Sequence, residues 1–223
     1  MCQNRKLRLF MIGWLPTNAE LFNYGGWSAR REDFMLLLEG NDVAVAIINA
    51  WASVLNFRER GKPLAAPSRF FVSTATTLHT ISNFVAPRSH RLQLFTERME
   101  AELKLTSYAT WGDVDMHDLL SVFFKDSGFP ALYIKVTAMQ PRRLRMSWLE
   151  TKNKIDCGVF AMRHMETYVG QSIASWDCGI RRGDARCVRE MRVRLLSELL
   201  LFHNNTHPLS NVNALGGFEA TIH

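Results

Sequence analysis

Apolar residues recur at helical spacing in several parts of this chain. This pattern predicts helices over residues 28–38, 42–57, 89–105, 117–127 and 185–202, and a further helix that begins at or just after Cys157. Ser28 is the predicted N-cap of the first helix, and Gly40 is its expected stop. In the second helix Trp51 lies on the apolar stripe, so we expect it to pack in the core. In the last helix the apolar stripe predicts one buried face, with its arginines, Arg192 among them, off that stripe.

Two short segments have the β-branched and aromatic composition of strands. Residues 69–74 and 131–137 are therefore predicted strands, and the basic stretch that follows, up to Trp148, is predicted to be a connecting loop or an edge strand. No internal repeat, low-complexity tract or linker interrupts the chain. We predict one domain over residues 1–223, a length that allows most of the surface to be buried.

Composition excludes several classes of protein. The apolar fraction is 47%, and no apolar run approaches the length of about 20 residues that a membrane span requires. The basic and apolar N-terminus resembles a secretory signal only faintly, because Pro16 follows it and no small-residue cleavage pattern is present. The 4 cysteines are sparse, unlike a disulfide framework. We therefore expect a reducing compartment, nuclear or cytoplasmic, and no membrane.

The charge and the metal-ligating residue types leave weaker alternatives. The net charge is +6, with arginines grouped in 141–145 and 181–194. A solvated basic face is the simpler interpretation, because no aromatic residues alternate with the arginines as in nucleic-acid sites, so nucleic acid is not an expected partner. A zinc site from Cys178, Cys187, His203 and His207 is disfavoured by the wide cysteine spacing and by Pro208. No metal or cofactor is predicted.

Cys157 is the strongest candidate for chemistry. A polar loop leads to it, and an apolar helical pattern follows, so its thiol is placed at a helix start. There the free backbone N–H groups and the positive end of the helix dipole favour a thiolate, and they could also hold an oxyanion. Gly158 would let another chain or a substrate backbone pass close to the sulfur. Taken alone, a cysteine before an apolar helix is more often a small, inert core residue.

The surrounding motifs resemble one peptidase family. The stretch Asp-Cys-Gly-Val-Phe at 156–160 is similar to the nucleophile motif of Ulp1-type (C48 family) cysteine proteases. The extension Met-Arg-His-Met-Glu-Thr-Tyr at 162–168 and the approach Pro-Arg-Arg-Leu-Arg-Met-Ser-Trp at 141–148 resemble the plant transposon-associated branch. Residues 45–56 resemble the helix that opens these domains, and the tail over 176–205 is also similar. The resemblance covers most of the chain, and it is most specific after residue 141.

This resemblance implies a fold, a reaction and a partner. The fold would be α+β, papain-like and of the Ulp1 type. The reaction would be hydrolysis of a peptide or isopeptide bond after the Gly-Gly end of a ubiquitin-like, SUMO-like modifier. The partner would be that modifier or its conjugates, bound by a monomer. Cys157 would be the nucleophile, assisted by a histidine, by an Asp or Asn that orients the histidine, and by an oxyanion donor.

The partners of the thiol are not evident in the sequence. In the family, the histidine precedes an aromatic residue on a strand upstream of the cysteine, and no histidine here is followed by an aromatic residue. His117 is a weak candidate base and Asp126 a weak candidate for the residue that orients it, although His117 begins a predicted helix. His164 would lie about 10 Å along the helix from Cys157, which predicts a structural role. Thr151 occupies the position of the family's oxyanion glutamine.

A missing block explains these absences most simply. Met116 is joined directly to His117, where the relatives have strands that hold the catalytic histidine and aspartate. The central sheet is therefore expected to be incomplete and the chain catalytically impaired. Two alternatives stay open: a pseudo-protease that binds the modifier without cleaving it, and a basic nucleic-acid-associated protein of mobile-element origin.

Overall fold

A computed structural model of the chain describes residues 15–38, 40–63, 69–74, 87–106, 124–126, 128, 130–139, 146, 148, 153 and 155–207. The elements over these residues are two strands, β1 (Glu20–Tyr24) and β2 (Trp27–Arg30), and six helices, α1 (Arg31–Leu38), α2 (Val45–Arg60), α3 (Arg88–Thr106), α4 (Pro130–Ala138), α5 (Cys157–Thr167) and α6 (Ala185–Leu200). The strands form a two-stranded antiparallel sheet. The coarse prediction of a chain that mixes helices with a sheet is confirmed.

The chain divides into two compact units. The first comprises Met1–Val54, Thr151–Ala161 and Gly183–His223, and the second comprises Leu55–Glu150 and Met162–Arg182. The first unit contains the hairpin, α1 and α6. The second contains α3 and α4.

The hairpin in the first unit was not predicted. Gly25 and Gly26 have φ of 61° and 77°, so the tight turn uses two consecutive left-handed residues, a conformation that glycine adopts without a steric penalty. Ser28 lies in β2, so the predicted N-cap at Ser28 is wrong and α1 begins three residues later. The Arg30 N–H donates to Asp33 Oδ2 at 2.8 Å, as in one half of a capping box, which fixes that later start.

In the first unit, two helices pack around the hairpin. Helix α1 packs against β2 and α6, and α6 packs against β1. The core includes apolar side chains from all of these elements, namely Phe22, Ala29, Phe34, Leu37, Leu195 and Leu199. The tail after α6 is hydrogen bonded to β1, because the buried side chain of Asn205 donates to Leu21 O at 2.9 Å and accepts from Asn23 N–H at 2.9 Å. The Thr206 N–H donates to Asn23 O at 3.1 Å, so the tail pairs with β1.

Two of the predicted amphipathic helices are confirmed here. Helix α2 begins at Val45, three residues later than expected, and its Trp51 is fully buried. Helix α6 buries the predicted apolar stripe. However, Arg192, which was predicted to lie off that stripe, is only 3% exposed.

The second unit has its own apolar cluster. Phe95, Met99, Phe124 and Val136 are buried together, and partly buried side chains pack against them, namely Phe70, Val72, Leu132 and Tyr133. The predicted helix over 89–105 is confirmed as α3.

Both predicted strands are wrong. Residues 131–137 form helix α4, because Pro130 at its first position favours a helix start and the spacing of Leu132, Tyr133 and Val136 gives one face that packs on the cluster. Residues 69–73 are in neither a helix nor a strand. Instead the Asn56 side chain accepts from Phe71 N–H at 2.8 Å and donates to Phe71 O at 2.9 Å. A side chain thus satisfies the backbone groups that a neighbouring strand would otherwise bind.

Some predictions fall on residues that the structure does not describe. Of the predicted helix over 117–127, residues 124–126 are described and are helical, and Gly128 with φ of 79° follows them. The join between Met116 and His117 and most of the basic stretch up to Trp148 lie outside the described residues. Among the helices described, none is long and apolar enough to cross a membrane.

Candidate functional site

Cys157 is the first residue of α5. The Phe160 N–H donates to the carbonyl of Asp156 at 3.0 Å, so Asp156 occupies the N-cap position and Cys157 the first helical position. The Cys157 side chain is exposed, whereas Val159 two residues later is fully buried. The helix start predicted at this cysteine is confirmed.

The Asp156 carboxylate is held on both oxygens. Oδ1 accepts from Arg192 Nε at 2.9 Å and from Nη2 at 2.5 Å, and Oδ2 accepts from Asn153 Nδ2 at 2.7 Å. Asn153 Oδ1 in turn accepts from the Asp156 N–H at 3.0 Å. Because these bonds direct the carboxylate toward Arg192 and Asn153, it leaves the first N–H groups of α5 without the usual N-cap acceptor.

Arg192 connects this segment to α1. Its Nη1 donates to Leu37 O at 3.0 Å and its Nη2 to Asn41 O at 2.9 Å. Leu37 lies in the last turn of α1, a turn that contains no basic residue. The guanidinium therefore satisfies one carbonyl in the last turn of α1 and one in the segment after it, and it neutralises Asp156 at the same time.

Gly158 lies against Val43 of the same unit. A Cβ atom added to Gly158 would lie 2.6 Å from Val43 Cβ and 3.0 Å from Val43 Cγ2. The sequence suggested that Gly158 makes room beside the sulfur for another chain or a substrate. The space is instead occupied by this chain's own segment before α2, which makes Gly158 a packing requirement of the first turn of α5.

The predicted partners of the thiol, His117 and Asp126, stay predictions. His117 lies outside them, and Asp126 is exposed in the second unit. In the described part of the first unit the histidines are His203 and His207. His203 Nε2 bonds to Asn204, and His207 Nε2 lies 2.9 Å from Glu20 Oε1.

His164 belongs to an aromatic cluster of the second unit. Its Nε2 accepts from Trp148 Nε1 at 3.1 Å, and its ring meets the Trp176 ring edge to face, with centroids 5.0 Å apart. Burial lowers the pKa of His164, which favours the neutral ring that can accept this hydrogen bond. These contacts agree with the structural role predicted for His164.

The other described thiols differ from Cys157 in exposure. Cys178 is buried, and burial raises the pKa of its thiol, which disfavours the reactive thiolate. Cys187 is half-buried in the first turn of α6, where its backbone N–H donates to the N-cap Asp184 Oδ1 at 2.9 Å. No group of three or more His, Cys, Asp or Glu side chains able to hold a metal ion occurs among the residues that the structure describes.

Two contributors to the site were missed in the sequence. Arg192 follows Val188 by four residues and precedes Leu195 by three, so its spacing placed it on the buried face of α6. An arginine on such a face signals a buried acceptor, although not which one. Val43 gave no signal, because its contact with Gly158 depends on the fold.

Comparison with known proteins adds no family. No protein-family model, no curated protein and no solved structure matches this chain.

Proposed function

We propose that this chain is a thiol-peptidase domain of the Ulp1 type, with a papain-like fold, which acts on a ubiquitin-like modifier through Cys157. The supporting observation is that Cys157 is exposed at the first position of α5, within the Asp-Cys-Gly-Val-Phe stretch at 156–160. A helix N-terminus favours the thiolate and exposure gives a substrate access to it, whereas an inert structural cysteine is buried.

The reaction would proceed by acyl transfer. The Cys157 sulfur would attack the carbonyl carbon of the modifier's terminal glycine, the bond to the leaving amine would break, and the amine would take a proton. Water would then hydrolyse the thioester and release the modifier and the free thiol. The N–H groups of the first turn of α5, left without an N-cap carboxylate, would be donors for the oxyanion.

Turnover is proposed to be low. A positioned histidine typically contributes about 10² to 10⁴ in rate, and the described histidines of the first unit bond elsewhere. A second candidate function follows from the same observation. The chain would bind the modifier without cleaving it.

A modifier that carries a C-terminal vinyl sulfone tests the proposal. We expect this probe to modify the purified chain and the Cys187→Ala variant, but not Cys157→Ala. Cys187→Ala is the matched control because Cys187 is also a thiol in the first turn of a helix. Iodoacetamide establishes in parallel that the Cys157 thiol is accessible. If iodoacetamide alkylates Cys157 but the modifier probe does not, the peptidase proposal is wrong, and binding of the unmodified modifier to Cys157→Ala would then support the second candidate.

Nucleic-acid association is less well supported. Arg192 is buried, and other arginines have carboxylate partners within hydrogen-bond distance, since Arg163 pairs with Glu166 and Arg186 with Glu190. Part of the basic charge is therefore neutralised locally rather than presented to phosphates.

A further inference from the structure

The buried guanidinium of Arg192 joins three parts of the first unit. Arg192 belongs to α6 and is only 3% exposed, so its guanidinium is shielded from solvent. It donates to the carbonyls of Leu37 and Asn41 and to the carboxylate of Asp156. A planar guanidinium can make these bonds together because its donors point in fixed, divergent directions.

One residue transmits this arrangement to the thiol. The side chain of Asp156 binds Arg192, while its backbone carbonyl accepts the first hydrogen bond of α5 from Phe160. The peptide that follows Asp156 leads directly into Cys157. The orientation of Asp156 thus sets where the first turn of α5 begins and where the sulfur lies.

We infer that Arg192 is a positioning residue for Cys157. It holds Asp156, and through it the first turn of α5, in the orientation that presents the sulfur to a modifier's carbonyl. This inference deepens the proposed function and rests on it for the identity of the substrate. The ordering of the first turn of α5 by Arg192 does not depend on the substrate.

Three variants and one control test the inference in the full chain. Arg192→Met removes the guanidinium at similar length, Arg192→Lys keeps the charge without the fork, and Asp156→Asn keeps the side-chain size without the charge. Arg189→Met is the matched control, because Arg189 is an exposed arginine of the same helix. For each, the second-order rate of Cys157 labelling by the modifier vinyl sulfone is compared with the rate for iodoacetamide, and hydrogen exchange is followed at the Phe160 amide and in β1.

Positioning predicts a selective effect. We expect modifier labelling of Cys157 to fall about tenfold or more in Arg192→Met, because small displacements of a reacting atom have large effects on rate. Arg192→Lys and Asp156→Asn should fall between this variant and the control. Iodoacetamide labelling should change by less than about threefold, because the thiol is already exposed. Exchange at Phe160 should rise about tenfold while exchange in β1 stays unchanged.

The opposite pattern overturns the inference. Equal modifier labelling and equal Phe160 exchange in Asp156→Asn, Arg192→Lys and the control would show that Arg192 does not position Cys157. This comparison tests the inference even if Arg192→Met does not fold. If the unmodified chain is not labelled by the modifier probe, the proposed function fails. Exchange at Phe160 then still decides whether Arg192 orders the first turn of α5.

Discussion

Replacing Gly158 with alanine should destabilise the chain, although the same change in a helix usually stabilises it. Alanine is favoured over glycine in a helix interior by about 0.5 to 1 kcal/mol. Here, however, the new Cβ would lie 2.6 Å from Val43 Cβ. Carbon atoms prefer separations of about 3.5 to 4.0 Å, so roughly 1 Å must be gained. Val43 Cβ is fixed to its own backbone, so a rotamer change cannot supply that distance.

The cost follows from overpacking. Forcing extra atoms into a filled site costs about 1 to 3 kcal/mol, so after the gain in helix propensity we expect a net loss of about 1 to 2 kcal/mol. Urea unfolding at 25 °C would measure it as a lower midpoint with an unchanged slope. Gly61→Ala is the control, because a Cβ there would meet only an ordinary contact of 3.6 Å with the Arg58 carbonyl oxygen.

A double-mutant cycle identifies the cause. Val43→Gly removes the Cβ that the new methyl group would strike, so Gly158→Ala should be neutral or stabilising in that background. The interaction free energy should then be about 1 to 3 kcal/mol. A Gly158→Ala protein as stable as the unmodified chain, or additive effects of the two changes, would refute the argument from packing.

Further predictions concern pH and turnover. Burial raises the pKa of the Glu59 carboxyl, but hydrogen bonds from Lys62 and Arg69 outweigh it and hold that pKa below its usual range. The unfolded chain therefore binds the proton more readily than the folded chain, so the stabilisation by the ionised Glu59 is present above about pH 4.3 and is lost as pH falls through the folded pKa. Glu59→Gln should lower the free energy of unfolding by about 1 to 3 kcal/mol near neutral pH. The urea midpoint of this variant should also fall less on acidification than that of the unmodified chain. Burial also lowers the pKa of His164, so its contribution is present above about pH 6.5 and is lost as pH falls through the folded value, and a His164→Gln chain should show a smaller change in midpoint between pH 7 and pH 5. Hydrolysis of a modifier precursor by the unmodified chain should exceed that of Cys157→Ala only slightly, and should lie about 10² to 10⁴ below the rate expected with a positioned histidine; a rate that is high and is abolished by His117→Ala would show that His117 serves as the base.

Helices with a continuous apolar stripe could be predicted from the sequence. The stripes of α2 and α6 specify which face is buried, and burial of that face supplies most of a helix's stability in a protein. The hairpin was missed because its strands are short, although Gly25 and Gly26 between aromatic residues were a usable turn signal. Helix α4 was mistaken for a strand because β propensity is a weak preference that packing on Phe95 and Met99 overrides.

The candidate site also has one part that the sequence predicts and one part that it does not. The place of Cys157 at a helix start is a local property, because a polar loop and an apolar helical pattern meet at that residue. The ion pair between Asp156 and Arg192 joins residues 36 apart, and the contact of Gly158 with Val43 also joins distant segments. No single-sequence periodicity encodes such pairings, since each depends on where the helices come to lie.

The pairing of Asn205 with β1 has a consequence for folding during synthesis. A two-stranded hairpin alone is marginally stable in water. Asn205 supplies the backbone partners of Leu21 and Asn23 from 184 and 182 residues away. A ribosome therefore releases the hairpin long before the residue that completes its edge. We expect protease resistance around β1 to arise only after residue 205 has been synthesised, so a hairpin that is translated early is among the last parts of the first unit to become stable.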